Sequence, residues 1–177
     1  GVCSASATFD EPSASDNCAV ADLSGDHDSG DRFPVGMSTV TYTATDSYGN
    51  VSMSSFTVTV DDVEAPMISQ MPASVVLDND SGACGAVHFW GDPLASDNCD
   101  VSMLTSDHSA GDSFSIGTTV VTYTATDSSG NSGSLAFEVT VNDVEAPAIS
   151  GMPANMTLDT DAGSCSALAT WLEPQGS

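Results

Sequence analysis

The chain contains no lysine and a single arginine, Arg32, against 25 Asp plus Glu, which gives a formal charge of −24. A polyanion of this kind repels phosphate backbones and anionic headgroups, so nucleic acid and acidic membranes are excluded as direct partners. No apolar run approaches the roughly 20 residues of a membrane helix, so no membrane insertion of this segment is expected. There is no Cys-x-x-Cys pair and the three histidines are scattered, a poor basis for a zinc site. No spacing brings a nucleophile, a base and an acid together, so no enzyme is visible. Gly1 leads directly into strand-like sequence without a basic and then apolar leader, so a secretory leader is expected to be absent or already removed.

What is present is repetition. Cys3, Cys84 and Cys165 are separated by 81 residues each, and the same step links Cys18 to Cys99, Pro12 to Pro93 to Pro174, Asp46 to Asp127, Asn50 to Asn131 and Glu64 to Glu145. The run Val40-Thr-Tyr-Thr-Ala-Thr-Asp46 returns as Val121-Thr-Tyr-Thr-Ala-Thr-Asp127. A fixed period without insertion or deletion means tandem homologous domains. Placing boundaries at the Val-Glu-Ala-Pro hinge divides the chain into 1–62, lacking its first strands, 63–143, complete, and 144–177, the beginning of a third unit. Thirty-four residues cannot bury a core alone, so the expectation is a window on a longer array or, alternatively, partial units that complete one another between molecules.

The five cysteines follow the same period. Cys3 and Cys18 lie 15 apart, as do Cys84 and Cys99, which suggests one local disulfide per repeat, each closing a loop worth about 3 kcal/mol on the chain-entropy model. Cys165 would then find its partner beyond Ser177. Paired cysteines imply an oxidising, extracellular setting, secreted or at a cell surface.

Within 63–143 the pattern is strand-like throughout. Short strands are predicted at 67–69, 74–77, 86–90 and 101–104, a brief edge at Phe114, and long strands at 119–126 and 135–141. In the long pair Val121, Tyr123 and Ala125 share one face, and Phe137, Val139 and Val141 another. Valine and threonine suit pleated surfaces, and no window carries a helical stripe. About seven strands in some 80 residues read as an all-β immunoglobulin-like sandwich, repeated end to end as a rod.

These residues resemble the hyalin repeat (HYR) family. The resemblance rests on Trp90-x-x-Pro93-x-x-x-Asp97-Asn98-Cys99, the run from Phe33-Pro-Val-Gly36 to Tyr42, Ala44-Thr-Asp46-x-x-Gly49-Asn50, and Phe56-x-Val-x-Val60. It implies an immunoglobulin-like fold and a role in extracellular adhesion or assembly. Many members carry a second cysteine pair. Here those positions hold Met71 and Ser54 or, in the next unit, Met152 and Leu135, so apolar packing is expected to replace that bridge.

The acidic residues concentrate where repeats should meet. Strand order in such a sandwich places the 91–98 loop and the 127–131 turn at the N-terminal end of the domain. Asp97, Asn98, Asp127 and Asn131 should then face the hinge residues Asp61, Asp62 and Glu64. At the opposite end the turn carrying Asp78 and Asp80 should meet Asp143 and Glu145. Six to eight carboxylate and carbonyl oxygens are what Ca²⁺ requires, so Ca²⁺ is the expected cofactor. The competing reading is that Asp and Asn at these places only bond backbone amides in tight turns.

The remaining candidates are plainer. Asn50, Asn79 and Asn155 satisfy the N-glycosylation pattern. Trp90 and Trp171 read as core tryptophans, His88 as a tolerated surface position, and His27 and His108 as shared descent. The expected partners are neighbouring repeats of the same array. A homo-oligomer or filament built by completing partial sandwiches is a further possibility, and so is a cell-surface protein or glycan read by the variable loops. The 101–116 region diverges most, as Ser113-Phe-Ser-Ile against Arg32-Phe-Pro-Val.

Overall fold

The computed structural model describes residues 1–172; Pro174, which continues the proline period, lies outside the described residues. The described chain is all-β. It contains no helix, and so none long and apolar enough to cross a membrane. It divides into two compact units, residues 1–143 and 144–177.

The first unit contains two copies of one strand plan. The second copy is the fuller and is described first. Its long strands are β12 (Gly117–Asp127) and β13 (Ser132–Asn142), an antiparallel hairpin in register from Gly117 opposite Val141 to Thr126 opposite Ser132. β10 (Val101–Ser106) pairs with the outer edge of β12, and β7 (Val75–Asp78) runs parallel to β13. This gives a four-stranded sheet in the order β10-β12-β13-β7. The opposing layer consists of two short antiparallel pairs. β6 (Met67–Ser69) pairs with β9 (Leu94–Ser96), and β8 (Gly85–Val87) with β11 (Ser113–Ser115).

Alternation along β12 and β13 makes the core. Val121, Tyr123, Ala125, Phe137, Val139 and Val141 are buried and meet Ile68, Ala86 and Phe114 from the other layer, with Met71, Val75, Leu77 and Trp90 closing the sides. Two layers around one core make an immunoglobulin-like β-sandwich. Met71, at a position where the family pattern carries a cysteine, does pack on this core. Trp90 stands edge-on to Phe137, at 5.2 Å between ring centroids, and donates its Nε1–H to the Tyr123 hydroxyl at 2.8 Å. The Tyr123 hydroxyl donates in turn to Asp92 at 2.9 Å. The tryptophan is therefore a core residue with its one polar atom satisfied.

The first copy has β1 (Ser4–Ser6), β2 (Val20–Gly25), β3 (Arg32–Pro34), β4 (Gly36–Asp46) and β5 (Val51–Val60). They sit 81 residues before β8, β10, β11, β12 and β13. The sheet order is β2-β4-β5, with β1 and β3 paired opposite. Even the bulge repeats, between Val20 and Asp22 here and between Val101 and Met103 in the second copy. Residues 13–15, the counterparts of β9, form no strand; by the 81-residue step the counterpart of their partner β6 falls before Gly1.

In the second unit residues 144–172 form no strands. One turn survives. Asp161 N donates to Ser166 O and Ser164 N to Asp161 O, both at 2.9 Å, as Asp80 and Ala83 do in the second copy. Gly163 takes φ 80° where Gly82 takes 73°, a backbone region that favours glycine. Trp171 is more than half exposed in this unit, so the expectation of a core tryptophan holds for Trp90 and not for Trp171. The turn is a local property of its sequence, whereas the strands need partners from farther along.

The cysteine pairing departs from the expectation. Cys3 is bonded to Cys99, with Cα atoms 4.6 Å apart and a sequence separation of 96, while Cys18, Cys84 and Cys165 are free and exposed. The local pairs Cys3–Cys18 and Cys84–Cys99 do not form, for a geometric reason. Ile116 N donates to Cys84 O at 3.4 Å, which puts Cys84 at the Gly117 end of β12. Cys99 lies beside Val101, whose partner is Asp127 at the other end of β12. Ten strand steps of about 3.3 Å separate those ends, whereas a disulfide needs Cα atoms within about 7 Å. Fifteen residues in sequence cross the whole length of the sandwich.

Candidate functional site: the joint between two repeats

The chain leaves β5 at Val60 and enters β6 at Met67 through Asp61-Asp-Val-Glu-Ala-Pro66. This hinge lies against the N-terminal end of the second copy, and three local pieces of sequence meet it there.

The first is the turn between β12 and β13, Asp127-Ser-Ser-Gly-Asn131. Asp127 is 3% exposed. Its Oδ1 accepts the backbone N–H of Ser129 at 2.9 Å and of Asn131 at 2.8 Å, and its Oδ2 accepts Asn131 Nδ2 at 2.8 Å. Burial pulls this carboxyl upward, but the donors of Asn131, Gly130 and Ser129 outweigh it and hold it below the usual carboxylate range. Asn131 Nδ2 also donates to the Asp62 carbonyl at 3.0 Å, across 69 residues. Beyond the turn, Gly133 meets the hinge so closely that a Cβ there would run into the Pro66 carbonyl.

The second piece is the loop Asp97-Asn98-Cys99. Asp97 Oδ2 accepts Cys99 N at 2.9 Å, and Asn98 Nδ2 donates to Asp62 Oδ1 at 3.2 Å. The third is the Cys3–Cys99 bridge, which ties this loop to the first copy.

Together these leave three buried side-chain oxygens without a donor: Asp62 Oδ2, Asp97 Oδ1 and Asn98 Oδ1. Ligand atoms of Asp62, Asp97 and Cys99 lie within 4.8 Å of one another, the one such grouping of three among the described residues. The Cys99 sulfur is consumed in the disulfide and has no thiolate to offer. What remains of that grouping is two carboxylates, Asp62 and Asp97, with the unpaired Asn98 Oδ1 on the neighbouring residue. Buried acceptors are ordinarily paired, and hard oxygen donors of this kind suit a cation such as Ca²⁺.

Of the residues expected at this joint, the structure gathers Asp62, Asp97, Asn98, Asp127 and Asn131. Asp127 has both oxygens engaged and Asn131 acts as a strut to the hinge, so these two shape the site. Asp61 and Glu64 are exposed beside it, and Glu64 N donates to Asp62 Oδ1 at 3.2 Å. At the far end of the second copy, Asn79 N donates to Asn142 O at 2.9 Å, which places the Asp78–Asp80 turn beside the end of β13, one residue before Asp143. Asp80 Oδ2 accepts Val87 N at 3.0 Å, and Asp78 is exposed. Glu145 belongs to the second unit.

The glycosylation candidates differ in their surroundings. Asn50 Nδ2 donates to Asp46 Oδ2 at 2.7 Å and Asn79 Nδ2 to Ala83 O at 2.9 Å, while Asn155 is exposed in the second unit.

A pair of latches escaped the sequence reading. Asp26 and Asp107 accept the backbone N–H of Thr41 and Thr122, each at 2.8 Å, and the rings of His27 and His108 stack over Phe33 and Phe114. For Asp26 the Thr41 bond, followed by the His27 bond, lowers the carboxyl. For Asp107 burial raises it, and the Thr122 and His108 bonds bring it below the ordinary value. The shared motif Asp-His-x-x-Gly-Asp was the available signal, and its role is to cap the core.

Comparison with known proteins agrees with the fold and the repeat. The HYR domain family model matches residues 1–60 and 61–141. Hyalin of Strongylocentrotus purpuratus is 40% identical over 141 residues, 77% of this chain and 12% of that protein. Hyalin of Lytechinus variegatus is 34% identical over 173 residues, 94% of this chain and 33% of that protein. The rat sushi, von Willebrand factor type A, EGF and pentraxin domain-containing protein 1 is 40% identical over 113 residues, 62% of this chain and 3% of that protein. The chain thus spans a third or less of the length of these relatives. Two matched segments in register with two copies of one strand plan place the chain in the HYR domain family.

Proposed function

We propose that the chain is a stretch of an extracellular adhesive or structural array of HYR domains, and that Ca²⁺ bound at the joint stiffens it. The observation that carries this reading is the trio of buried oxygens without donors, Asp62 Oδ2, Asp97 Oδ1 and Asn98 Oδ1, at the point where the hinge enters the second copy. A site that encloses two carboxylates repels itself unless a cation is shared. Asp62 comes from the hinge and Asp97 and Asn98 from the sandwich, so an ion held among them fixes one against the other. Backbone carbonyls or water would complete its shell.

The setting supports the same reading. A disulfide between repeats belongs to an oxidising compartment, and the relatives that cover most of this chain are hyalins. A charge of −24 keeps repeats apart except where a cation or a covalent bond joins them. Domains joined end to end by such joints make a stiff rod.

The test is thermal unfolding in 10 mM Ca²⁺ against excess EGTA, together with calorimetric titration. With a dissociation constant near 1 mM, as in weak extracellular modules, Ca²⁺ adds about 1.4 kcal/mol at about one site per chain. The double variant D62N/D97N abolishes the difference. Identical melting curves with and without Ca²⁺ in the unaltered chain would remove calcium from the account.

A further inference from the structure

The observed bridge has a period of its own. Cys3 stands at the exit end of the first copy and Cys99 at the entry end of the second, so the bond crosses the joint. By the 81-residue step, Cys84 is the second copy's version of Cys3, and Cys18 is the first copy's version of Cys99. Both are exposed and free. Cys3 and Cys84 each directly precede the equivalent strand of their copy, and Cys18 repeats the bonding of Cys99. Cys84 lies at the end where β13 leaves the sandwich, next to Ile116, in the turn that bonds to Asn142. Cys18, outside any strand, donates its backbone N–H to Asp16 Oδ2 at 2.9 Å, as Cys99 does to Asp97 Oδ2.

We infer that Cys84 and Cys18 are each one half of the same cross-joint disulfide, a covalent modification site whose partner is a cysteine of an adjoining HYR repeat. Cys84 bonds the Cys99-type cysteine of the repeat that follows, and Cys18 the Cys3-type cysteine of the repeat before. Within one repeat the two types sit at opposite ends of β12 and cannot meet. Across a joint they face one another. The array is therefore stapled at each joint by a bridge that skips one repeat boundary, and no repeat carries a bridge of its own. Each bridge forms when two thiols lose two protons and two electrons to a low-molecular-weight disulfide such as oxidised glutathione, which is cleaved to two thiols. The inference is independent of the calcium reading, since no ion takes part.

The first arm of the test uses the chain as it stands. Refolded in a glutathione redox buffer and mapped without reduction, it should give the Cys3–Cys99 linked peptide and three titratable thiols. A Cys3–Cys18 or Cys84–Cys99 peptide would overturn the inference. The second arm appends residues 97–143 after Ser177, which completes the third repeat by the 81-residue step and supplies a new Cys99-type cysteine. Cys84 should link to the added cysteine, and the thiol count should fall from three to two, Cys18 and Cys165. A link from Cys165 to the added cysteine, or a count of four in a folded extended chain, would sink the idea. The variant C84S of the extended chain should leave the added cysteine free, for a total of three thiols. Re-pairing of that cysteine with Cys165 would count against end-to-end placement. If the extended chain does not fold, the peptide map of the unextended chain decides.

Discussion

The two copies in the first unit differ less in sequence than in what surrounds them. Val40 and Val121 are equally buried, and the hairpins run in the same register for ten pairs. Yet Phe56 on β5 is 39% exposed where Phe137 on β13 is 4%, and Ala44 and Asp46 are half-buried where Ala125 and Asp127 are buried. The second copy has β6 packed below the hairpin and β7 beside β13; by the 81-residue step the first copy's counterparts of both fall before Gly1. In the first copy a cleft lined by Ala14, Ser15, Asp16, Val51 and Ser52 lies where the second holds its hinge and β6. The hairpin therefore needs only its own residues to form, whereas the depth of its core depends on strands contributed from the preceding hinge side.

The largest way to break this comparison is to cut the bridge. A loop of about 100 residues is worth up to roughly 4.7 kcal/mol on the chain-entropy model, and in this chain the first copy, which has fewer paired strands, relies on it more. In C3S/C99S a single calorimetric transition should split, with the first copy melting first. One unchanged transition would show that the copies stabilise each other without the bond.

Next comes the phenylalanine pair. Phe137→Ala should cost about 3–5 kcal/mol, as buried aromatics do, and Phe56→Ala about 1 kcal/mol, because much of its ring is already in water. Chemical denaturation of both variants compares them, and equal losses would contradict the difference in burial.

A third test exchanges one residue between copies. Gly133 is pressed against Pro66, and its counterpart is Ser52, where no such hinge approaches. Gly133→Ser should cost about 1–3 kcal/mol through overpacking and Ser52→Gly a few tenths. Urea midpoints report both, and a neutral Gly133→Ser would mean the hinge can move aside.

The smallest effect is in acid. At Asp46 the Asn50 side chain and the Asn50, Tyr48 and Gly49 amides hold the carboxyl down, and Asp127 is depressed against its burial. A carboxyl depressed on folding adds stability that is full above its unfolded value, near 4, and is lost as pH falls through its folded value. Stability should be flat from pH 7 to about 5 and fall below about 4. D127N should flatten that fall more than D46N, since its turn is the more enclosed. The slope of Tm against pH measures this.

Much of the fold was legible because its determinants are local or periodic. The other strands of the second copy are marked by β-branched or aromatic residues between turn signals; Leu94-Ala-Ser96 has neither and becomes a strand only by pairing with β6. The joint was legible in outline, because Asp62, Asp97, Asn98 and Asn131 cluster at a boundary that the period defines. Their division into struts and open oxygens depends on hydrogen-bond directions, which spacing does not carry. The disulfide was misread for a related reason. Fifteen residues look close in a sequence, and only the length of β12 reveals that they lie at opposite poles.

That bond also changes how the protein bears tension. A pull on both ends enters at Cys3 and passes through two sulfur atoms to Cys99, bypassing the chain across their sequence separation of 96. Stretched out, that span would measure roughly 330 Å. The whole of the first hairpin, the hinge and the opening strands of the second copy are thereby held off the line of force as slack that cannot be drawn out while the bond is whole. With the bond reduced, that length becomes available to a pull only as the sandwiches unfold.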